Sequence, residues 1–200
     1  MRIILEGPDG SGKSTLLEWL AKKTQREIIH GGGPPENMTE LFRRIALVLD
    51  NPEGLFDRIT MVSEQVYGPI LRKVRLLEEE NWIKYLQQLA GDLLIYCRPP
   101  DSILLGNADK LEIKEHKPAA FVQKIRENLP AIIKAYDKIM IQVKGTGLKV
   151  ITFDRSTMKF KDLLPILQEN GLIPTKEKTN VRPQSDSWQF EEPEGPPVTE

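Results

Sequence analysis

Eight consecutive residues, Gly7-Pro8-Asp9-Gly10-Ser11-Gly12-Lys13-Ser14, fit the pattern G-x-x-x-x-G-K-[ST] at every fixed position. An apolar, β-branched run, Arg2 to Glu6, precedes them and reads as a short buried strand. Leu16, Leu17, Leu20 and Ala21 follow at helical spacing, from Ser14 to about Thr24. A glycine-rich loop between a buried strand and a helix suits the capture of phosphate. The glycines Gly7, Gly10 and Gly12 let the main chain wrap closely, with its N–H groups aimed inward. The start of the helix adds the positive end of its dipole. In such a loop Lys13 supplies a mobile charge to the β- and γ-phosphates of ATP, and the Ser14 hydroxyl is offered to Mg²⁺.

The rest of the chain repeats the alternation of strand and helix. Glu27 to His30 reads as a second strand, closed by Gly31-Gly32-Gly33-Pro34-Pro35. Asn37 to Leu49 carries Leu41, Ile45 and Val48 at i, i+4 and i+7, so it is helical. Gly54-Leu55-Phe56 is a short third strand, and helical segments run from about Ser63 to Leu89 with an interruption near Pro69. Asp92 to Cys97 is a fourth strand, stopped by Pro99-Pro100. Ala119 to Val143 bears a helical stripe with Pro130 inside it, which predicts a kink or two helices. Leu148 to Phe153 is the fifth strand, and Phe160 to Leu167 the last helix. This order predicts an α/β fold, a five-stranded and mainly parallel sheet with helices on both faces.

Residues 1–173 are expected to form one domain. Pro174 to Glu200 holds five prolines, six acidic and three basic residues, and predicts a disordered or loosely draped tail in which only Trp188 and Phe190 offer aromatic anchors. Lys and Arg total 28 against 29 Asp and Glu, so no overall positive field draws nucleic acid. Cys97, as the one cysteine, excludes an intrachain disulfide and fits a reducing compartment. The run Ile3-Ile4-Leu5 is too short for a signal peptide or a membrane span, so a cytoplasmic protein is expected.

The run Ile4-Leu5-Glu6-Gly7-Pro8-Asp9-Gly10-Ser11-Gly12-Lys13-Ser14-Thr15 resembles the opening of thymidylate kinases, which read EGxDGxGKST. Phe56-Asp57-Arg58, followed by Ser63 and Val66-Tyr67, resembles the Asp-Arg pair, Ser and Ala-Tyr-Gln stretch of that family. Ile95-Tyr96-Cys97-Arg98-Pro99-Pro100 looks like the fourth strand of the wider nucleoside and nucleotide kinase group. The resemblance spans residues 1–170 and implies the P-loop NTPase fold with strand order 2-3-1-4-5. It also implies transfer of the γ-phosphoryl group of ATP to a (deoxy)nucleoside monophosphate, with ATP on the phosphate loop from Gly7 to Thr15 beside Arg98. By the same resemblance Arg58 binds the acceptor phosphate, and Asp57 joins Ser14 in holding Mg²⁺. Asp9 meets the 3′-hydroxyl of the acceptor sugar, although Pro8-Asp9-Gly10 is also a good turn sequence in its own right. Tyr67 places its ring against the sugar or is simply core. Phe42 and Arg44, on the helix after the second strand, are acceptor-side candidates as well as ordinary surface residues. A homodimer is left open.

Departures from the family pattern bear on the acceptor. His30-Gly31-Gly32-Gly33-Pro34 stands where bacterial thymidylate kinases often read Arg-Glu-Pro-Gly-Gly, and Gly68 replaces the Gln of the Ala-Tyr-Gln stretch. Between Pro99 and Phe121, the lid region of about 101–118, there is no arginine, so Lys114 or Lys117 is the candidate lid cation, with Arg98 as its competitor. A monophosphate oxygen, with a second pKa of about 6, needs no protein base. A nucleoside 5′-hydroxyl does, and after the second strand only His30 and the more distant Glu36 are at hand. A deoxynucleoside kinase, a polynucleotide 5′-kinase and a regulatory nucleotide-binding protein are the alternatives. The last class usually carries a hydrophobic strand that ends in Asp. The strand Leu93–Cys97 runs instead into Arg98, and Asp154 comes late in the chain.

Overall fold

β1 (Ile3–Glu6) is buried at every position, and the sheet is built outward from it. In the computed structural model, which describes residues 1–31, 35–108 and 119–175, the other strands are β2 (Ile28–His30), β3 (Leu55–Asp57), β4 (Leu93–Cys97) and β5 (Lys149–Phe153). Their order is β2-β3-β1-β4-β5, and all four neighbouring pairs are parallel. The strand order implied by the family resemblance is therefore observed, and the sheet is wholly rather than mainly parallel.

The pleat divides the core into two layers. Ile3 and Leu5 turn toward Leu16, Leu17 and Leu20 of α1 (Lys13–Thr24). Ile4 turns the other way, into the larger cluster with Leu41 and Ile45 of α2 (Met38–Leu49). β4 divides likewise, Leu93, Ile95 and Cys97 against Leu94 and Tyr96. A strand buried on both faces shows no polar alternation, which is why β1 and β4 read as continuous apolar runs.

The remaining helices are α3 (Thr60–Tyr67), α4 (Glu79–Gln87), α5 (Asp101–Ala108), α6 (Ala119–Lys144) and α7 (Leu164–Glu169). A π-helical turn, Gly68–Arg72, extends α3, and a 3-10 turn, Phe160–Leu163, precedes α7. Two expectations change. Pro130 lies inside a single continuous α6 rather than dividing it. An interior proline costs about 3 kcal/mol. Val122, Ile125, Leu129, Ile132, Ile133, Tyr136, Met140 and Val143 are all buried on that helix, and each stabilises by about 1.5–3 kcal/mol, so the stripe prevails. α5 occupies the start of the expected lid of about 101–118, where the sequence pattern assigns no element. The proline pair before it starts the helix, since the Pro100 carbonyl accepts from the N–H groups of Ile103 and Leu104 at 3.0 and 3.2 Å.

The start of β1 is fastened by a buried ion pair. Arg2 Nη1 donates to Asp92 Oδ2 at 2.8 Å, and the Arg2 main-chain N–H donates to Asp92 Oδ1 at 2.7 Å. Its Nε and Nη2 reach the Val48 and Leu49 carbonyls at the end of α2, at 2.9 and 2.6 Å. One guanidinium thus joins β1, β4 and α2. Arg2→Met should leave the Asp92 charge buried and unpaired, which costs about 3–5 kcal/mol. Urea unfolding of the two proteins checks this; a loss below about 1 kcal/mol would show that Asp92 finds water instead.

Candidate functional site

The loop from Gly7 to Ser14 leaves the C-terminal end of β1 and runs straight into α1. Its backbone demands glycine at three points, Gly7, Gly10 (φ +78) and Gly12. Gly7 has φ +144, and a Cβ there would stand 2.4 Å from the Cys97 carbonyl oxygen at the end of β4. Gly12, the N-cap of α1, has φ +87 and carries no side-chain cap. Lys13 is folded back into the loop, where Nζ donates to the Gly7 and Pro8 carbonyls at 2.8 and 2.7 Å. Burial, with the nearby Arg58 charge, pulls its pKa down to about 8. Asn107, near the end of α5, donates Nδ2 to the Gly10 carbonyl at 2.8 Å, so the helix opening the expected lid is docked on the loop.

Arg58 arrives from the end of β3, the neighbour of β1. Its φ of +65 is unusual for a residue with a side chain. Two bonds hold it there: the Arg58 N–H donates to the Leu5 carbonyl at 2.9 Å, and the next N–H, of Ile59, donates to Glu6 Oε1 at 2.8 Å. The strained backbone turns the guanidinium back over the loop. Nη2 lies 3.2 Å from the Gly7 carbonyl, 3.1 Å from the Tyr67 hydroxyl and 3.3 Å from Asp9 Oδ1. Tyr67 donates its hydroxyl to Asp9 Oδ2 at 2.7 Å, and burial pushes its own pKa up, so it stays a donor. Arg58 Nε is buried with no hydrogen-bond partner. An unpaired cationic N–H beside a phosphate loop suits an anion.

Glu6 lies beneath this cluster and had been read only as the end of a strand. It is wholly buried, accepts from Ile59 and from the Tyr136 hydroxyl at 3.1 Å, and its pKa is raised by burial to about 7 despite Arg58 and Lys13. Tyr136 belongs to α6 and packs edge-on against Tyr67, with ring centroids 6.0 Å apart. A chain of contacts therefore joins Asp9 and Arg58 to α6 through Tyr67, Tyr136 and Glu6. In the sequence Glu6 is marked as the carboxylate that ends an otherwise apolar strand and opens the run Glu6-Gly7-Pro8-Asp9-Gly10.

The other sequence candidates lie in different company. Asp57, paired in register with Leu5 of β1, faces His30 Nδ1 through Oδ2 at 3.2 Å. Ser14 and Thr15 are exposed in the first turn of α1. Phe42 is exposed on α2 and lines a cavity of about 320 Å³ with Met38, Leu76, Leu77, Asn81 and Tyr85. Arg44 pairs with Glu40 on the same helix. Arg98 is engaged by Asp137 through Nε and Nη2, at 2.9 and 3.0 Å, and by Asp101 at 2.7 Å, which ties β4 to α6 and α5. Lys114 and Lys117, like Trp188 and Phe190 of the tail, lie outside the described residues. Arg155, which was not anticipated, comes from the loop after β5 and covers Gly12: a Cβ on that glycine would stand 2.9 Å from Arg155 Nη1.

Among the described residues no cluster of three or more His, Cys, Asp or Glu side chains forms a metal cage. Mg²⁺ that is bound together with a nucleotide is held by one or two protein groups and by the phosphates. The Ser14 hydroxyl and the Asp57 carboxylate are the groups that would do so. Among the described residues no helix is long and apolar enough to cross a membrane.

Known proteins place this geometry in context. No family model matches the sequence. A putative ABC transporter ATP-binding protein of Archaeoglobus fulgidus is 33% identical over 119 residues, 56% of this chain and 49% of that protein. The energy-coupling factor transporter ATP-binding protein EcfA1 of Mycoplasma pneumoniae is 24% identical over 183 residues, 86% of this chain and 67% of that one. The chain thus spans about half the length of the first of these relatives. Among solved structures, the YorR protein of Bacillus subtilis in complex with phosphorylated GDP aligns with a TM-score of 0.67 at 20% identity, covering 86% of this chain and 98% of that one. Deoxyadenosine kinase from M. mycoides, with products dCMP and dCDP bound, aligns with a TM-score of 0.54 at 16% identity, covering 84% and 97%. The fold is that of P-loop kinases.

The buried Glu6 has a consequence for stability. Its pKa is about 7 in the folded chain against an ordinary 4.5. The native state therefore favours the protonated form, and this contribution to stability is complete below about pH 4.5 and lost as pH rises through about 7. Glu6→Gln removes the titration. Relative to wild type, the variant should gain stability between pH 5 and pH 8, by a few kcal/mol at most. Urea unfolding at the two pH values measures it. An unchanged difference would mean that Glu6 is already ionised in the folded protein near pH 5.

Proposed function

We propose that this protein transfers the γ-phosphoryl group of Mg·ATP to a small nucleotide acceptor, a (deoxy)nucleoside monophosphate. The observation that carries the reading is Arg58, held in a strained backbone with an unpaired, buried Nε beside the phosphate loop. The fold shared with YorR and deoxyadenosine kinase supports it. In this reading the main-chain N–H groups of the loop and Lys13 hold ATP. Lys13 exchanges the Gly7 and Pro8 carbonyls for phosphate oxygens. Arg58 binds the acceptor phosphate and directs one of its oxygens at the γ-phosphorus. That oxygen forms the new P–O bond as the bond to the β-phosphate bridge breaks, and ADP leaves. Ser14 and Asp57 would hold Mg²⁺, which would supply charge neutralisation for the phosphates of the nucleotide. Asp9, oriented by Tyr67, takes the acceptor sugar. Phe42, over its cavity, and Arg44 are proposed for the acceptor side, and Arg98, Lys114 and Lys117 for the ATP side.

Catalysis of this kind rests on position and charge. Arg58→Ala should raise KM for the acceptor and lower kcat, together by about 1.5–3 kcal/mol, with KM for ATP little changed. Steady-state kinetics varying each substrate in turn would test it, and a rise confined to the ATP KM would give Arg58 another role. Lys13→Ala should abolish turnover without lowering the melting temperature.

A second reading has an observation of its own. His30 Nδ1 meets Asp57 Oδ2 at 3.2 Å, an orientation that leaves the far ring nitrogen free to take a proton from a hydroxyl acceptor. A turnover panel of deoxynucleoside monophosphates, deoxynucleosides and a 5′-hydroxyl oligonucleotide separates the two, with ATP hydrolysis alone as the result expected of a regulatory ATPase. If His30→Gln eliminates activity on nucleosides while monophosphates are never phosphorylated, the hydroxyl acceptor prevails.

A further inference from the structure

The segment after β5 returns over the phosphate loop. Its turn is fastened from within: Asp154 accepts from the Ser156 N–H and hydroxyl at 2.8 and 2.7 Å, and its carbonyl accepts from the Met158 N–H at 2.8 Å. These bonds engage the one acid beside Arg155 in the chain. Arg155 turns the other way and is exposed. Its side chain lies flat on Gly12, so that a Cβ on that glycine would meet Nη1 at 2.9 Å, Cδ at 3.0 Å and Cζ at 3.7 Å. Gly12 is required by its φ of +87, and the arginine side chain rests on the surface it leaves open.

Among the described residues Arg155 has no ion-pair or hydrogen-bond partner. Its charge stands instead over Gly12, the N-cap of α1. A cation at a helix N-terminus opposes the dipole. The arrangement becomes favourable when an anion lies there.

We propose that Arg155 is a phosphate clamp, which closes on the α- and β-phosphates of the nucleotide held by the loop. It supplies the cation that Pro8, Asp9, Gly10 and Ser11 lack, and its planar fork can grip two phosphate oxygens at once. The inference rests on the reading of this loop as the ATP site.

Calorimetric titration of wild type, Arg155→Ala and Arg155→Lys with ATP and with inorganic tripolyphosphate tests it. Arg155→Ala should weaken both ligands by the same factor, on the order of tenfold to a hundredfold, and should reduce the dependence of affinity on salt. Arg155→Lys should recover part of the loss, since it keeps the charge without the fork. The acceptor KM should not move. Unchanged ATP affinity in Arg155→Ala would overturn the clamp. So would a loss for ATP without one for tripolyphosphate, which would place Arg155 against the base. Failure of wild type to bind ATP sinks both the clamp and the kinase reading. ATP binding that depends on Arg155, without phosphorylation of any acceptor, sinks the kinase reading alone.

Discussion

Lys13 and Arg58 are both held largely out of water, and the nearby anions, Asp9, Asp57 and Glu6, must serve the two of them. Removing an ion from water costs several kcal/mol unless bonds replace its hydration. Lys13 answers with two carbonyls, at the expense of a lowered pKa. Arg58 keeps one N–H unpaired. Glu6 could neutralise either, yet it is so deeply buried that its own ionisation is opposed. The site thus carries an unmet electrostatic demand, and a phosphate is the ligand chemistry that meets it. Much of the surrounding structure holds these groups in place against that demand: the αL backbone at Arg58, the Ile59–Glu6 bond, and Tyr136 reaching down from α6.

Parallel strand order determines which groups can meet. With β3 and β4 on either side of β1, the C-terminal ends of three adjacent strands open on one crevice, where α/β proteins bind ligands. Cations follow four strands: Lys13 after β1, Arg58 after β3, Arg98 after β4 and Arg155 after β5. Their fates differ because their neighbours differ. Arg98 meets Asp137 on α6 and becomes a strut. Asp137 follows Tyr136 directly and also accepts from the Tyr96 hydroxyl at 2.7 Å, so the strut sets the height at which Tyr136 meets Glu6. A residue expected at the nucleotide thereby supports the acceptor cluster from behind.

Local chemistry made much of the fold legible. The loop motif needs only its flanking strand and helix to be read, and the strands are short apolar runs between breakers. That Pro130 does not divide α6 rests on the packing of a 26-residue helix, a sum over distant partners invisible in a local window. α5 was missed because Pro99-Pro100 ends a strand and starts a helix at once. Arg155 has no sequence signature, since what marks it is an approach across 143 residues of chain, from 12 to 155. β3, which ends in Asp57, is the strand set beside β1. Only the strand order tells which acid arrives at the loop.

The departure from the thymidylate kinase pattern at Gly68 is held in place by its surroundings. Gly68 stands where that family has a glutamine, and a Cβ there would lie 2.7 Å from Glu64 Oε1 and 2.8 Å from the Val74 carbonyl. The space is occupied because Glu64 is buried, pairs through both oxygens with Arg72, and accepts from the Leu76 N–H at 2.8 Å. Arg72 in turn donates to the Pro35 carbonyl at 2.6 Å, just past the glycine run that replaces the family's Arg-Glu-Pro-Gly-Gly. Restoring glutamine at 68 would push into Glu64, loosen Arg72 and release Pro35. A buried carboxylate left without its arginine costs several kcal/mol, so the single substitution is opposed by the whole connection. The end of α3 is therefore tied to Pro35 through Glu64 and Arg72, and a change at residue 68 is felt along that whole connection.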